Sequence, residues 1–283
     1  MAGLTTFQLG GEARFLLEPR DEPELAAALA WSRAAGLAVF AMGRGSNLVV
    51  SDSGFDGAII RLGQGFSGTE WTDSAVSVKA GTRLTELVLQ AVGKGLGGME
   101  KLAGIPGSVG GAVFLNAGAY GQEFSDHLVG VKSLSPTGEI RSWTREQCGF
   151  GYRHSVFREN HHVVVSATLR LVPGDLDALR QSVRETQKAR LDKQPLDLPN
   201  AGSLFKRPPN GFASKMVEEA GLKGFRVGAA AISEKHAGFA VNLGGATATD
   251  VWNLSCEVIR RVRDFNGVTL EREVVFLGDF TAG

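Results

Sequence analysis

Residues 102–121 read Leu-Ala-Gly-Ile-Pro-Gly-Ser-Val-Gly-Gly-Ala-Val-Phe-Leu-Asn-Ala-Gly-Ala-Tyr-Gly. Ten glycines fall between Gly93 and Gly121, with almost no polar side chains among them. That composition is unlike a flexible Gly/Ser linker. Pro106 stiffens one turn, and the glycines let the backbone come close to another group. Main-chain N–H groups in such a segment can cradle a pyrophosphate without strong positive charge nearby. A tight buried turn that serves geometry alone fits the same residues. Composition leaves both readings open.

The flanking sequence alternates strand-like and helix-like stretches. Asp21-Glu22-Pro23 is an N-cap, an acid and a first-turn proline. It opens a helix that carries Leu25, Leu29 and Trp31 and stops at Gly36. Leu37–Met42, Leu48–Val50, Ala58–Leu62 and Ala75–Lys79 read as strands. Thr82 is placed to cap a helix with Leu84, Leu87, Val88, Ala91 and Val92 on one face, ended by Gly93 and Gly95. Strands follow at Leu128–Leu134, Ile140–Trp143 and His162–Val172. Pro173-Gly174-Asp175 is the best boundary in the chain, followed by a helix through Leu176, Leu179 and Val183 that ends before Pro195.

Beyond a proline-bracketed irregular stretch, a short helix is expected near Ser214–Ala220. Strands follow near Arg226–Ile232 and Gly238–Leu243. A helix over Thr249–Asn266 carries Val251, Leu254, Val258, Val262 and Phe265, and a last strand spans Glu271–Leu277. Hairpin-like strand pairs mixed with separated helices indicate an α+β fold rather than a doubly wound sheet.

Composition narrows the function. The chain has 283 residues, 43% hydrophobic and 21% charged, and its 30 basic residues balance its 30 acidic ones. A zero net charge argues against broad nucleic-acid binding but leaves room for a local anion pocket. Cys148 and Cys256 provide neither a disulfide framework nor metal-ligand spacing, and Cys256 reads as a small core residue. His127, His154, His161, His162 and His236 form no ligand cluster, so no metal is expected. The start lacks a secretory pattern and no apolar run is long enough for a bilayer, so a cytoplasmic protein with no membrane association is expected.

Gly43-Arg44-Gly45-Ser46-Asn47-Leu48 begins like a dinucleotide fingerprint. Leu48 stands where the third glycine belongs, however, and a strand follows instead of a helix, so a Rossmann site does not fit. The loop could still wrap phosphate through backbone amides, with Ser46 and Asn47 adding hydrogen bonds.

Residues 42–57, from Met-Gly-Arg-Gly-Ser-Asn-Leu to Phe-Asp-Gly, resemble the first flavin-binding loop of the UDP-N-acetylenolpyruvoylglucosamine reductase family. Leu102–Ala112 and Asn116–Gly121 resemble its second. Phe150–Phe157, Ala201–Lys206, Ser233–Phe239 and Leu270–Val274 resemble the remaining family blocks, in family order, so the resemblance covers nearly the whole chain.

The resemblance implies a flavoenzyme of peptidoglycan precursor synthesis that holds FAD non-covalently and takes electrons from NADPH. It would reduce the enolpyruvyl ether of UDP-N-acetylglucosamine enolpyruvate to UDP-N-acetylmuramate. The implied fold is a PCMH-type FAD-binding domain over residues 1–172, in lobes of about 1–80 and 81–172. An α+β substrate-binding domain would follow over 173–283. The nucleotide sugar is the implied partner; no nucleic acid, membrane or obligatory protein partner is implied.

The resemblance also implies roles for single residues. Gly43, Arg44, Gly45, Ser46, Asn47 and Leu48 would contact the cofactor. So would Gly104, Ile105, Pro106, Gly107, Ser108, Gly110, Gly111, Asn116, Ala117 and Gly118. Hydride delivery to the methylene carbon of the enol ether would build negative charge toward the substrate carboxylate, so the reaction needs a group that steadies the carboxylate and a proton donor. Arg153 matches the family arginine, and a guanidinium stays protonated and grips a carboxylate at two points. An ordinary surface ion pair is the other role open to it. Ser203 matches the family proton donor; composition alone would have read it as a turn residue. Glu273 matches the family glutamate, with Glu271, Glu273, Val275 and Leu277 expected on one strand face. Lys206, Lys215 and His236 are candidates for the nucleotide diphosphate and sugar, and Tyr152 for the flavin or substrate beside Arg153.

Two departures from the family pattern stand out. Arg207 follows Lys206 where the family commonly has asparagine. The stretch between Ser166 and Ala201 is short, and tyrosine occurs only at Tyr120 and Tyr152. The chain therefore resembles the shorter subclass that lacks a tyrosine-bearing loop over the substrate. Two rivals were weighed. One is a sugar or alcohol oxidase or dehydrogenase on the same scaffold, disfavoured because neither glycine loop carries a histidine or cysteine that could tether flavin. The other is a non-catalytic nucleotide-binding protein, disfavoured by the joint presence of Arg153, Ser203 and Glu273.

Overall fold

Asp21 caps a helix as its position predicts: its Oδ1 accepts from the Glu24 N–H at 2.9 Å, and helix α1 runs Glu22–Ala34. The computed structural model describes residues 1–280. The chain packs as two units. One comprises Phe15–Arg44 and Gly57–Ala189; the other comprises Met1–Arg14, Gly45–Asp56 and the chain from Arg190 onward.

The first unit carries a parallel strand pair and a five-stranded sheet, besides two short two-stranded ladders. Strands Ala38–Met42 and Phe55–Arg61 pair in parallel, from Ala38 opposite Gly57 to Met42 opposite Arg61. An antiparallel five-stranded sheet has the order Ile140–Thr144, Leu128–Leu134, Val163–Arg170, Ala75–Lys79, Thr69–Thr72. Helix α2 (Leu84–Gly93) buries Leu84, Leu87, Val88, Ala91 and Val92, the face its spacing predicts. Thr82 does not cap it. Arg83 occupies the cap position without a side-chain bond, and the Thr82 hydroxyl instead accepts from the Gly68 N–H at 2.9 Å. A loop N–H nearby outcompetes the helix end for that hydroxyl. Helix α3 (Val109–Leu115) starts at Ser108 and ends at Asn116, which adopts a left-handed φ of 44°.

The linear division at 172/173 does not match this packing. Helix α4 (Leu176–Lys193) lays Val183 and Leu179 against the first unit's core. Pro173-Gly174-Asp175 therefore starts a helix without ending a packed unit. The two expected lobes also share one core, because strand Ala75–Lys79 pairs with Val163–Arg170.

The second unit gathers short segments around two helices, α5 (Ala213–Glu219) and α6 (Ala248–Asn266). Strands Arg226–Val227, Ala230–Ile232 and Ala240–Asn242 form an antiparallel sheet. Val251, Leu254, Val258 and Val262 of α6 are fully buried, as their spacing predicts. Phe265 is 61% exposed, because the α6 seam ends a turn before the Gly267 cap. Cys256 is also exposed and not a core residue; it sits one position off the seam. Strand Val275–Leu277 pairs in parallel with Leu48–Val50. The last strand is shorter than expected: residues 270–273 precede it as an extended segment, and a bend at Val274 breaks the alternation between Glu273 and Val275.

The N-terminus of α6 is capped twice. Thr247 and Asp250 form a capping box, and the Asp52 carboxylate accepts from the Ala248 N–H (2.8 Å), the Thr249 N–H (2.8 Å) and the Thr249 hydroxyl (2.7 Å). Burial alone would raise the Asp52 pKa, but the Thr249 and Ala248 donors outweigh it and hold the carboxyl below its ordinary value. A depressed carboxylate stabilises the fold above its unfolded pKa, and this contribution fades as pH falls through the folded value. Asp52→Asn is expected to lower stability at pH 7 by about 1 kcal/mol, the upper range for a negative charge lost from an exposed helix N-terminus. In denaturant titrations the gap between variant and parent should close below the ordinary aspartate range. A gap that persists unchanged there would contradict the charge-based account.

Candidate functional site

In the first unit the two glycine loops meet. A Cβ built on Gly43 would lie 2.1 Å from Ser108 Oγ and 3.0 Å from Ser108 Cβ, so any larger residue forces the Ser108 side chain to move. Ser108 in turn caps α3, its hydroxyl accepting from the Gly111 N–H at 3.4 Å. Gly110 is a packing residue: its N–H donates to Ala80 O at 2.7 Å, and a Cβ there would fall 2.9 Å from Ala80 Cβ. The N–H groups of Gly104, Gly107 and Ser108 donate to no acceptor among the described residues, nor does that of Arg44. Pro106 and Gly111 are exposed beside them. Partial burial, with the nearby charges of Arg83 and Arg61, holds the Arg44 guanidinium below its ordinary pKa. Open amides beside gathered arginines are a donor set for a diphosphate.

Asn116 is fully buried, and its side chain bonds to protein. Its Nδ2 donates to Glu123 Oε2 (2.7 Å) and Gly151 O (3.1 Å), and its Oδ1 accepts from the Ser125 N–H (3.2 Å). Any contact it makes with a cofactor is left to its main chain. By holding Gly151 it fixes the turn that carries Tyr152 and Arg153, closed by mutual Gly151–His154 main-chain bonds. Arg153 takes a left-handed φ of 53° within that turn, a conformation costly for a side chain of its size and concentrated at functional sites. Its Nη2 donates to Gly118 O at 3.2 Å, and its guanidinium lies 5.0 Å from the half-exposed Tyr152 ring. Gly118, Asn116 and Arg153 are thus brought together; the fixing role of Asn116 had no sequence signal beyond its place in a motif.

In the second unit the loop continues as Gly45, Ser46 and Asn47. The Ser46 and Asn47 N–H groups have no acceptor among the described residues. Asn47 is tied into the unit at two points: its O accepts from the Val275 N–H (3.0 Å), and its Nδ2 donates to Glu273 O (3.1 Å). Leu48 is buried, so its side chain serves the core.

Residues 203–206 run extended between two neighbours. On one side Ser203 bridges Phe239, and the Leu204 N–H donates to Gly238 O at 2.8 Å. On the other, the Glu273 N–H donates to Leu204 O (2.9 Å) and the Lys206 N–H to Glu271 O (2.8 Å), flanking a Phe205–Arg272 bridge. Ser203, Glu273 and His236 therefore belong to one small hydrogen-bonded patch. Gly202, at φ 78°, supplies the left-handed step into it. The Ser203 hydroxyl makes no hydrogen bond to another described residue, which leaves it available to a ligand.

His236 Nδ1 accepts from the Gly238 N–H at 3.1 Å, which puts the proton on Nε2. Burial, aided by Lys223, lowers its pKa, so the ring is a neutral donor at pH 7. Lys206 is paired with Glu271. Lys215 is exposed and pairs with Glu219 at 3.6 Å along α5, the solvent-facing alternative for a helix lysine.

The open main-chain donors of Arg44, Gly104, Gly107 and Ser108 in the first unit, with the close approach at Gly43, suit a dinucleotide cofactor. A family model described as an FAD-binding domain matches residues 13–144, which defines a flavoprotein of the PCMH type. A second, the C-terminal domain of UDP-N-acetylenolpyruvoylglucosamine reductase, matches residues 194–277. The chain is 41% identical over 288 residues to UDP-N-acetylenolpyruvoylglucosamine reductase of Agathobacter rectalis, covering 98% of this chain and 91% of the relative. It is 40% identical to the Streptococcus pyogenes reductase, covering 97% and 93%. The crystal structure of the Thermus caldophilus reductase superposes with a TM-score of 0.83 at 36% identity, covering 98% of this chain and 97% of that one. The chain belongs to the UDP-N-acetylenolpyruvoylglucosamine reductase family.

Proposed function

We propose that this protein reduces UDP-N-acetylglucosamine enolpyruvate to UDP-N-acetylmuramate in the cytoplasm, with NADPH as reductant and non-covalent FAD as carrier, supplying the peptidoglycan pathway. Bound FAD supplies hydride transfer from NADPH to the methylene carbon of the enol ether. The observation that carries the reading is the patch in which the Glu273 N–H bonds to Leu204 O beside Ser203. It sets an alcohol and an acid on adjoining extended segments.

The Ser203 hydroxyl gives its proton to the carbon next to the carboxylate; a neutral alcohol is a weak acid, but a strongly basic carbanion accepts from it when it is well placed. Glu273 orients a water or the substrate acid near the reacting carbons, and in its protonated form donates a hydrogen bond to developing charge. Arg153 steadies the substrate carboxylate. His236, as a neutral Nε2–H donor, and Lys206 serve the nucleotide sugar, with Lys215 and Tyr152 at its margin; Arg207 would alter the diphosphate contacts. Arg44, Gly104, Gly107 and Ser108 hold the flavin diphosphate through their main-chain amides, and Ser46 and Asn47 offer further cofactor contacts on the second unit.

We assign flavin binding to residues 1–172 and substrate binding to 173–283. The first packed unit runs on to Ala189, and residues 1–14 and 45–56 pack with the chain from Arg190 onward. The chain is of the shorter subclass: helix α4 occupies most of the stretch between Ser166 and Ala201, where a tyrosine loop would otherwise lie. No helix among the described residues is long and apolar enough to cross a membrane. The purified protein should be yellow, bleach with NADPH, and release its colour into the supernatant on acid precipitation. Colour that stays in the pellet would favour an oxidase with tethered flavin.

A further inference from the structure

Arg272 lies between Glu271 and Glu273 and extends away from both. Its Nε donates to Ser255 Oγ at 2.8 Å and its Nη2 to Cys256 Sγ at 2.9 Å, both on α6. Its guanidinium is stacked 4.0 Å from the Trp252 ring, one turn earlier on the same helix. Ser255 is fully buried and is itself fixed, its hydroxyl donating to Trp252 O at 2.6 Å. The main chain of Arg272 is the central residue of the bridge to Phe205. One guanidinium thus clasps this non-strand segment to the longest helix of its unit, through two hydrogen bonds and a ring face.

The segment needs such a clasp. Residues 270–274 belong to no continuous ladder, and a bend at Val274 separates them from strand Val275–Leu277. The two main-chain bonds to 204 and 206 fix the register of the acid-bearing segment against the serine-bearing one, but not its distance from α6. A planar guanidinium fixes that distance with little residual freedom, which a lysine would not.

We infer that Arg272 is a positioning residue for the reduction of the enol ether: it holds Glu273, and through the Phe205 bridge Ser203, at the spacing that proton delivery requires. This rests on the roles proposed above for Ser203 and Glu273. Misplacement of reacting groups by about 1 Å can cost about 10²-fold in rate.

The test uses the holoprotein and separates the two half-reactions by anaerobic stopped flow. Arg272→Met should leave flavin affinity and flavin reduction by NADPH within about twofold of the parent. It should slow reoxidation by the enolpyruvyl nucleotide sugar about 10- to 100-fold at saturating substrate, so that kcat falls and KM does not rise. Arg272→Lys should recover part of that loss. Ser255→Ala, which removes one anchor and keeps the arginine, should give a smaller defect of the same kind and covers the case in which Arg272→Met does not fold.

A purely structural role would instead depress flavin content and both half-reactions together, and that result overturns the inference. So does reoxidation at the parental rate in Arg272→Met and Ser255→Ala. Glu273→Gln is measured alongside. If it slows reoxidation and the Arg272 variants do not, the positioning role falls while the proposed function stands. If Glu273→Gln reoxidises normally, the role of Glu273 falls and that of Arg272 with it.

Discussion

Ser203→Ala should bind flavin and be reduced by NADPH at close to the parental rate, yet regain its yellow colour about 10²- to 10⁴-fold more slowly when the enolpyruvyl nucleotide sugar is added, the range set by loss of a general acid. The expectation follows from where the residue sits. Ser203 enters its extended segment through Gly202 at φ 78° and bridges Phe239, while its neighbour Leu204 takes the Glu273 N–H. The hydroxyl is the only group the substitution removes, and no hydrogen bond to another described residue is lost with it, so stability and cofactor affinity should hold. A Ser203→Ala protein that reoxidises at the parental rate would remove the proton-donor assignment.

Gly43→Val should leave the protein nearly colourless. The added Cβ falls 2.1 Å from Ser108 Oγ and 3.0 Å from Ser108 Cβ, and valine adds two γ-methyls to that clash. Alanine can be accommodated in part if the Ser108 hydroxyl rotates away, at the expense of its bond to the Gly111 N–H. Overpacking of this kind costs about 1–3 kcal/mol. At 1.4 kcal/mol per tenfold that is roughly 10- to 100-fold in flavin affinity, provided the strain is relieved by parting the two loops. Gly93→Ala is the control, since a Cβ there meets nothing within 4 Å. Fluorescence titration of the apoprotein checks both, with circular dichroism to show that the fold is kept. Parental flavin affinity in Gly43→Val would mean that the loop contact is not part of the cofactor site.

Much of the fold was legible because local and tertiary demands agree. Asp21 caps α1, the α2 face is buried as spaced, and strand Ala75–Lys79 appears at its expected limits. The misreadings share one cause, a choice between partners that spacing does not encode. Thr82 had a helix end and a loop amide to choose from, and the loop won. Phe265 continued the apolar repeat of α6 beyond the point where there was a core to meet. Cys256 drew a cationic neighbour in place of a core position. The units are discontinuous in sequence because strand Leu48–Val50 pairs with Val275–Leu277, a contact spanning more than two hundred residues that no local pattern announces.

The site was legible only as blocks. Glycine richness marked the loops, but not that Gly43 touches Ser108. The motif order brought forward Ser203, Glu273 and Arg153, but not which residues hold them in place. Asn116, Asn47 and Arg272 make side-chain bonds to distant main chain or to a helix, and such bonds leave no periodicity to read.

The most direct measurement is anaerobic. The purified holoprotein is bleached with one equivalent of NADPH, and flavin absorbance is followed after adding the enolpyruvyl nucleotide sugar or, separately, simple sugars and alcohols. The account predicts full, rapid return of colour with the nucleotide sugar alone, together with stoichiometric UDP-N-acetylmuramate. Flavin that stays bleached with that compound would contradict it, as would flavin in the untreated enzyme that is reduced by a sugar or alcohol.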